Sequence, residues 1–307
     1  MTISRRRFIA TSAASVFVCA SQLNAHTLSS SSMLTKRIPS SGEQLPVIGL
    51  GTLQAFDVAG TPEERAALSD VLKLLAARGG TLIDTSPRYG RAEAVVGELC
   101  AELGLTDDLF FATKVFSEGE QAGIDEMADS LQRLHTPVID LMQVHSMRDW
   151  ELHLPSIRKL KEEGKVRYIG ITIHRDTGHA QMMQLMRNEN LDFIQVNYNL
   201  VERAAAEEVL PLAQELGVAV MVNVPFAKAN LFNMTRGVAL PDWASEIDCD
   251  SWAQFFLKYV ISHPAVTCVI PRTGNPRHMA DNLMAGFGNM PDQATRSKME
   301  AFIGGLS

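Results

Sequence analysis

From about Lys36 onward, strand-like and helix-like segments alternate eight times, and that rhythm leaves few architectures open. Short apolar runs predict strands at Val47–Gly51, Thr81–Thr85, Leu109–Val115, Ile139–His145, Val166–Thr172, Asp192–Tyr198, Ala219–Pro225 and Thr267–Pro271. Between them, amphipathic stretches predict helices at Thr61–Arg78, Ala92–Leu103, Ile124–Leu134, Leu154–Glu163, Ala204–Leu216 and Trp252–Ser262. Gly79, Gly104, Gly164 and Gly217 follow such stretches, where a left-handed residue ends a helix. A short hairpin precedes the series, with Lys36–Pro39 and Gln44–Pro46 flanking Ser40-Ser41-Gly42. Eight successive strand–helix units are the number that closes a parallel barrel. An open doubly wound sheet would usually carry G-x-G-x-x-G after an early strand, whereas Gly49-Leu50-Gly51 is followed by Gln54 in place of the third glycine. The expectation is an α/β chain: one (β/α)8 TIM barrel over residues 34–307 with a short N-terminal β-hairpin.

The first 33 residues read differently, as a signal peptide and polar linker. A basic head, Ser4-Arg5-Arg6-Arg7-Phe8, leads into a short apolar stretch ending at Ala20 and then a polar segment with serines from Ser29 to Ser32. Paired arginines before Phe8 resemble the twin-arginine export signal. The apolar stretch is shorter than the roughly 20 residues a membrane span needs. Ala20 and Ala25 each offer a small residue for cleavage, but neither has an A-x-A pattern. The expectation is a periplasmic protein that meets the twin-arginine export machinery, with a cytoplasmic location as the alternative. A net charge of -7 argues against nucleic acid and anionic membranes as partners. The four cysteines form no C-x-x-C pair and no zinc-spaced cluster, so no metal is expected, and Cys100 and Cys268 read as buried hydrophobes.

Four polar residues stand out at or just beyond the ends of predicted strands: Asp84, Tyr89, Lys114 and His145. In a barrel, strand ends and the loops after them gather at one mouth. A lysine inside Phe110-Phe111-Ala112-Thr113-Lys114-Val115 must be paired or neutral, and Asp84 on the neighbouring strand is its obvious partner. An acid, a phenol, an amine and an imidazole at one mouth would handle a proton.

The stretch Asp84-Thr85-Ser86-Pro87-Arg88-Tyr89-Gly90 resembles the D-T-x-x-x-Y-G signature of the aldo-keto reductases. So do Ala112-Thr113-Lys114, Ile139-Asp140-Leu141 leading to Val144-His145, Gly164 to Gly170, Phe193 to Tyr198, and Ile270-Pro271-Arg272-Thr273 with Asp281-Asn282. The resemblance covers nearly all of the chain after residue 36. It implies hydride transfer between NADP(H), with NAD(H) less favoured, and a small carbonyl or alcohol substrate. Tyr89 would be the proton donor, Lys114 and Asp84 would make that phenol a better acid than its ordinary pKa of about 10 allows, and His145 would donate to the carbonyl oxygen.

For the cofactor, the resemblance assigns Thr172 and Gln195 to the nicotinamide amide. It assigns Pro225, Phe226, Lys228 and Leu231 to the pyrophosphate, with Ala229 in place of a common glycine. Arg272 and Thr273 fall at the 2′-phosphate, beside a helix starting near Pro276, with His278 near the adenosine phosphate, where many members have arginine and Arg277 is adjacent, and Asn282 at the adenine. Two further departures sit beside the nicotinamide: Ile173 stands in place of Asn or His, and Asn223 in place of a stacking aromatic ring. Phe56, Phe116, Met147, Trp150 and Phe226 are candidate substrate walls. With the chain ending soon after a last helix at Phe302 to Leu306, an open site for small or sugar-like carbonyls is expected, on a monomer. Some relatives of this barrel bind NADPH in regulatory or interaction roles, and that is the alternative function.

Overall fold

The computed structural model describes residues 32–306, so the expected signal segment lies outside the described residues apart from its last two positions. Strands β1 (Thr35–Arg37) and β2 (Gln44–Pro46) pair antiparallel with Lys36 opposite Leu45. Eight parallel strands follow: β3 (Leu50–Gly51), β4 (Leu82–Asp84), β5 (Phe110–Val115), β6 (Ile139–His145), β7 (Val166–Thr172), β8 (Phe193–Asn197), β9 (Ala219–Asn223) and β10 (Cys268–Val269). Each pairs with its sequence neighbours, in the order β3 through β10. The helices are α1 (Pro62–Ala77), α2 (Ala92–Leu103), α3 (Glu120–Arg133), α4 (Trp150–Glu162), α5 (His179–Asn188), α6 (Val209–Leu216), α7 (Asn230–Met234), α8 (Trp252–Ile261), α9 (Pro276–Met284) and α10 (Gln293–Gly304). This is the nearly closed (β/α)8 barrel, with its hairpin, that the sequence predicts.

The seam between the first and last barrel strands explains Gly49 and Gly51. Gly49 N donates to Val269 O at 2.9 Å, Val269 N to Val47 O at 2.9 Å, and Gly51 N to Pro271 O at 3.1 Å. A Cβ on Gly51 would stand 2.9 Å from Ile270 O, and one on Gly49 would stand 2.7 Å from Leu82 Cδ2. Gly51 therefore serves close approach across the barrel seam and Gly49 close approach to Leu82 of β4, not a phosphate-binding turn.

Inside the barrel, Leu82, Phe110, Leu141, Tyr168 and Phe193 pack into one layer with Ile38 and Leu45 of the hairpin, which closes the N-terminal end. Lys36 fixes that plug by donating to the carbonyls of Ile261, His263 and Val266 at 2.7, 2.9 and 2.6 Å. With the bottom filled by side chains, the opposite mouth is left for a site. Among the described residues no helix is long and apolar enough to cross a membrane.

Helices α3 and α4 start at Glu120 and Trp150, ahead of the expected Ile124 and Leu154, and other helices depart further. The predicted Ala204–Leu216 helix divides into a 3-10 turn at Ala204–Ala206 and α6. Helices α5 and α7 follow β7 and β9, where the strand–helix alternation calls for helices without setting their bounds. The last helix is Gln293–Gly304, started by an Asp292 side chain accepting from Thr295 N, not Phe302–Leu306.

Candidate active site

Strand register brings the predicted residues to one end. Asp84 ends β4, Lys114 is next to last in β5, His145 ends β6 and Thr172 ends β7. Lys114 Nζ lies 2.8 and 2.7 Å from the two carboxylate oxygens of Asp84 and 2.8 Å from Thr85 O. Both side chains are almost fully buried, so each is the other's condition for staying charged. Burial works against the Lys114 charge, but Asp84 and Tyr89 outweigh it and hold the ammonium above its ordinary range.

Tyr89 is delivered by the turn after β4, where its N–H donates to Ser86 O at 3.0 Å. Lys114 Nζ stands 5.1 Å from the Tyr89 ring centre. Burial pushes the phenol above its ordinary value and the Asp84 charge adds to that; the Lys114 charge pulls it down without reversing the shift. With these groups alone, Tyr89 is a weaker acid than usual, not the stronger one the sequence predicts. His145 meets Tyr89 edge to face, with ring centres 6.2 Å apart. Burial, then the charges of Lys114, Arg88 and His174, lower His145 to about 3, so its ring is neutral. His145 Nδ1 is buried without a partner, which leaves Nε2 as the nitrogen open to the cavity.

A residue that was not expected completes the buried core of the site. Gln143 is fully buried on β6, and its Nε2 lies 3.3 Å from Asp84 Oδ1. Gln195 Nε2 donates to the same oxygen at 2.8 Å, and its Oε1 accepts from Thr172 Oγ1 at 3.1 Å and Asn223 Nδ2 at 3.2 Å. The sequence signal for Gln143 is a polar residue in the apolar run Ile139–His145, the same signal that marked Lys114.

A cavity of about 1140 Å³ opens over these groups. Asp84, Tyr89 and His145 line it, together with Thr172, Gln195, Pro225, Phe226, Lys228, Arg272, His278 and Asn282 of the expected cofactor residues. Leu231 does not line it, being fully buried in the core, and Thr273 turns away to accept from Asn275 N at 3.0 Å. Asn275 in turn caps α9 by accepting from Arg277 N at 2.9 Å, which occupies one amide donor of that helix end. Arg272 donates to Gln54 Oε1 across the seam between the first and last strands. Of the expected substrate walls, only Phe226 lines this cavity; Phe56 is fully buried in the core and Met147 packs near Gly178.

The two departures beside the cavity are linked. Ile173 packs its side chain on Gly178, where an added Cβ would fall 1.7 Å from Ile173 Cδ1. Asn223 Nδ2 reaches Ile173 O at 3.0 Å, while Asn223 Oδ1 is buried without a partner.

Residues 47–297 match the model of the Aldo/keto reductase family. The chain belongs to the aldo/keto reductase family. Among curated relatives, methylglyoxal reductase YeaE of Escherichia coli is 33% identical over 259 residues, spanning 81% of this chain and 89% of that protein. Aldo-keto reductase YhdN of Bacillus subtilis is 34% identical over 197 residues, spanning 58% of this chain and 57% of that one. An aldo-keto reductase from Klebsiella pneumoniae in complex with NADPH superposes with a TM-score of 0.74 at 26% identity, covering 88% of this chain and 96% of its own. That Klebsiella pneumoniae structure contains NADPH.

Proposed function

We propose that this chain reduces an aldehyde or ketone with NADPH, and oxidises the alcohol in reverse, with Tyr89 as the proton donor. The observation that carries this reading is the buried Asp84–Lys114 pair set against Tyr89, with a neutral His145 edge-on to the phenol. When bound, the reduced nicotinamide supplies the hydride. The chain supplies everything else. Tyr89 gives its phenolic proton to the carbonyl oxygen, and the Lys114 ammonium stabilises the phenolate left behind. Asp84 keeps that ammonium charged and aimed, through contacts to both of its oxygens. His145, with its proton on Nε2, donates a hydrogen bond to the carbonyl oxygen as charge builds there, and accepts none of it as a base.

The residues at the other end of the cavity fit a phosphorylated dinucleotide. Lys228 and Arg272 supply positive charge with no ion-pair partner among the described residues, and Asn282 lines the same wall. The buried, unpartnered Asn223 Oδ1 is an acceptor that a carboxamide N–H would satisfy, beside Gln195 and Thr172.

The name of the Escherichia coli relative makes methylglyoxal the first substrate to try. Oxidation of NADPH on adding methylglyoxal or another short aldehyde to the purified chain supports the proposal; binding of NADPH without turnover of any carbonyl would favour the regulatory alternative instead. The reading also extends to location: an exported chain would carry its cofactor out already folded. Replacing Arg5 and Arg6 by Lys, followed by fractionation, tests it, and a protein that stays in the cytoplasm with both arginines intact refutes it.

A further inference from the structure

The loops after β4, β5 and β6 carry a second set of groups beside Tyr89, Lys114 and His145. Arg88 immediately precedes Tyr89, Phe116 lies two residues beyond Lys114, and Arg148 lies three beyond His145. The Arg88 guanidinium carbon lies 4.0 Å from the centre of the Phe116 ring, and that of Arg148 lies 4.7 Å from the same centre. The Phe116 ring is itself 5.2 Å from His145. Two cations therefore rest on one ring that touches the residue expected to meet the carbonyl oxygen.

The arrangement is held in place rather than left to drift. Phe116 N and Ser117 N both donate to Glu126 Oε2, at 2.6 and 2.9 Å, and His153 Nε2 meets Ser117 O at 2.8 Å. Asp149 Oδ2 accepts from Gly119 N at 2.9 Å, tying the loop after β6 to the loop after β5. The loop after β6 keeps Ser146, Met147 and Asp149 at positive φ, a conformation that persists only where the surroundings impose it.

Charge is left over on this rim. Arg148 pairs at 2.9 Å with Glu118, whose side chain is 80% exposed, so the bond is readily exchanged for another anion. Arg88 has no carboxylate within ion-pair distance among the described residues. In a chain with a net charge of -7, an unneutralised guanidinium beside the catalytic mouth would draw an anion to it, and a planar guanidinium fork fits two oxygens at once.

We propose that Arg88 and Arg148, held on Phe116, bind an anionic group of the substrate, so that the preferred substrate is a short carbonyl compound bearing a carboxylate or a phosphate. This rests on the carbonyl-reduction reading and narrows it from carbonyls in general to charged ones. Aromatic stacking spends one face of each guanidinium and leaves the in-plane N–H donors for the anion.

The test is steady-state reduction by the full chain with NADPH, using two matched pairs: succinic semialdehyde against its methyl ester, and glyceraldehyde 3-phosphate against glyceraldehyde. At least one charged member should exceed its neutral partner by tenfold or more in kcat/KM, chiefly through KM, and the two pairs tell carboxylate from phosphate. Arg88→Gln should reduce that ratio tenfold or more, and Arg88→Lys should restore part of it. Equal use of charged and neutral members, or a preference that survives in Arg88→Gln, overturns the proposal while leaving carbonyl reduction intact. If none of the four carbonyls reacts, carbonyl reduction fails and the subsite is judged by calorimetry on protein saturated with NADP+. Succinate or glycerol 3-phosphate binding that is lost in Arg88→Gln then supports it, and no binding overturns it.

Discussion

Lys114 Nζ lies within 2.8 Å of both carboxylate oxygens of Asp84, in a pair whose side chains are 1% and 4% exposed. Removing one partner strands the other as a buried charge, which typically costs about 3–5 kcal/mol. Asp84→Asn should therefore lower the melting temperature clearly, by more than Lys114→Met does alone. The double variant Asp84→Asn/Lys114→Met should regain much of that loss, because no charge is left to bury. Thermal denaturation of the four proteins measures it, and strictly additive losses would count against a coupled pair.

His145 gives the pH dependence a sign. Its folded pKa is depressed from 6.5 to about 3, with burial first among the causes. The unfolded chain takes up a proton near pH 6.5 that the folded chain refuses until about pH 3. This histidine's share of stability is thus fully present above pH 6.5 and is lost as pH falls from there toward 3. Denaturant titrations at pH 7.5 and pH 5 should show the drop, and it should shrink in His145→Asn. For the reaction, carbonyl reduction should show no acid limb near pH 6.5 assignable to this ring.

Arg272 lines the cavity and is held by Gln54 from the neighbouring loop across the seam. A lost charge-assisted contact to phosphate typically costs about 1.5–3 kcal/mol. Arg272→Ala should weaken NADPH binding by roughly tenfold or more on that scale while changing NADH binding little. Fluorescence titration of both nucleotides checks it, and equal weakening of the two would remove the 2′-phosphate assignment.

Ala229 sits at φ 73 between Lys228 at φ 54 and α7, in the left-handed region where glycine carries no Cβ penalty. Ala229→Gly exchanges roughly 1–2 kcal/mol of that strain for added freedom in the unfolded chain. Stability should stay level or rise slightly. A clear fall in melting temperature would show that the alanine methyl group has a packing role of its own.

Much of the fold was legible because each barrel strand is an apolar run that stops at polar residues. Helix α2 was readable to the residue, since Gly104 takes the left-handed cap at φ 67. Helix α5 was not, although Met182, Leu185 and Met186 form its buried face; it is short, and it opens at a histidine with no side-chain cap. Asp84, Tyr89, Lys114 and His145 were legible as polar groups at strand ends or just beyond them. Gln143 gave the same kind of signal in a neighbouring run, but its partner, Asp84, is 59 positions away and is reached only through strand register. Leu231, Thr273 and Phe56 show the limit of the approach. Sequence places them on mouth loops, and only packing decides that two of these side chains turn into the core while the third accepts from the backbone N–H of Asn275, the residue that caps α9. Ile173 is similar, since its direction is set by the space that Gly178 leaves open.

The central claim is that Tyr89 gives the proton, and single-turnover reduction of methylglyoxal by Tyr89→Phe with saturating NADPH tests it most directly. Loss of a positioned general acid typically costs about 10²–10⁴-fold in rate. The account predicts a loss of that size with NADPH affinity retained, because Tyr89 stands beside the Asp84–Lys114 pair and not in the Gln195–Asn223 network. A variant that reduces methylglyoxal at the parent rate would contradict it.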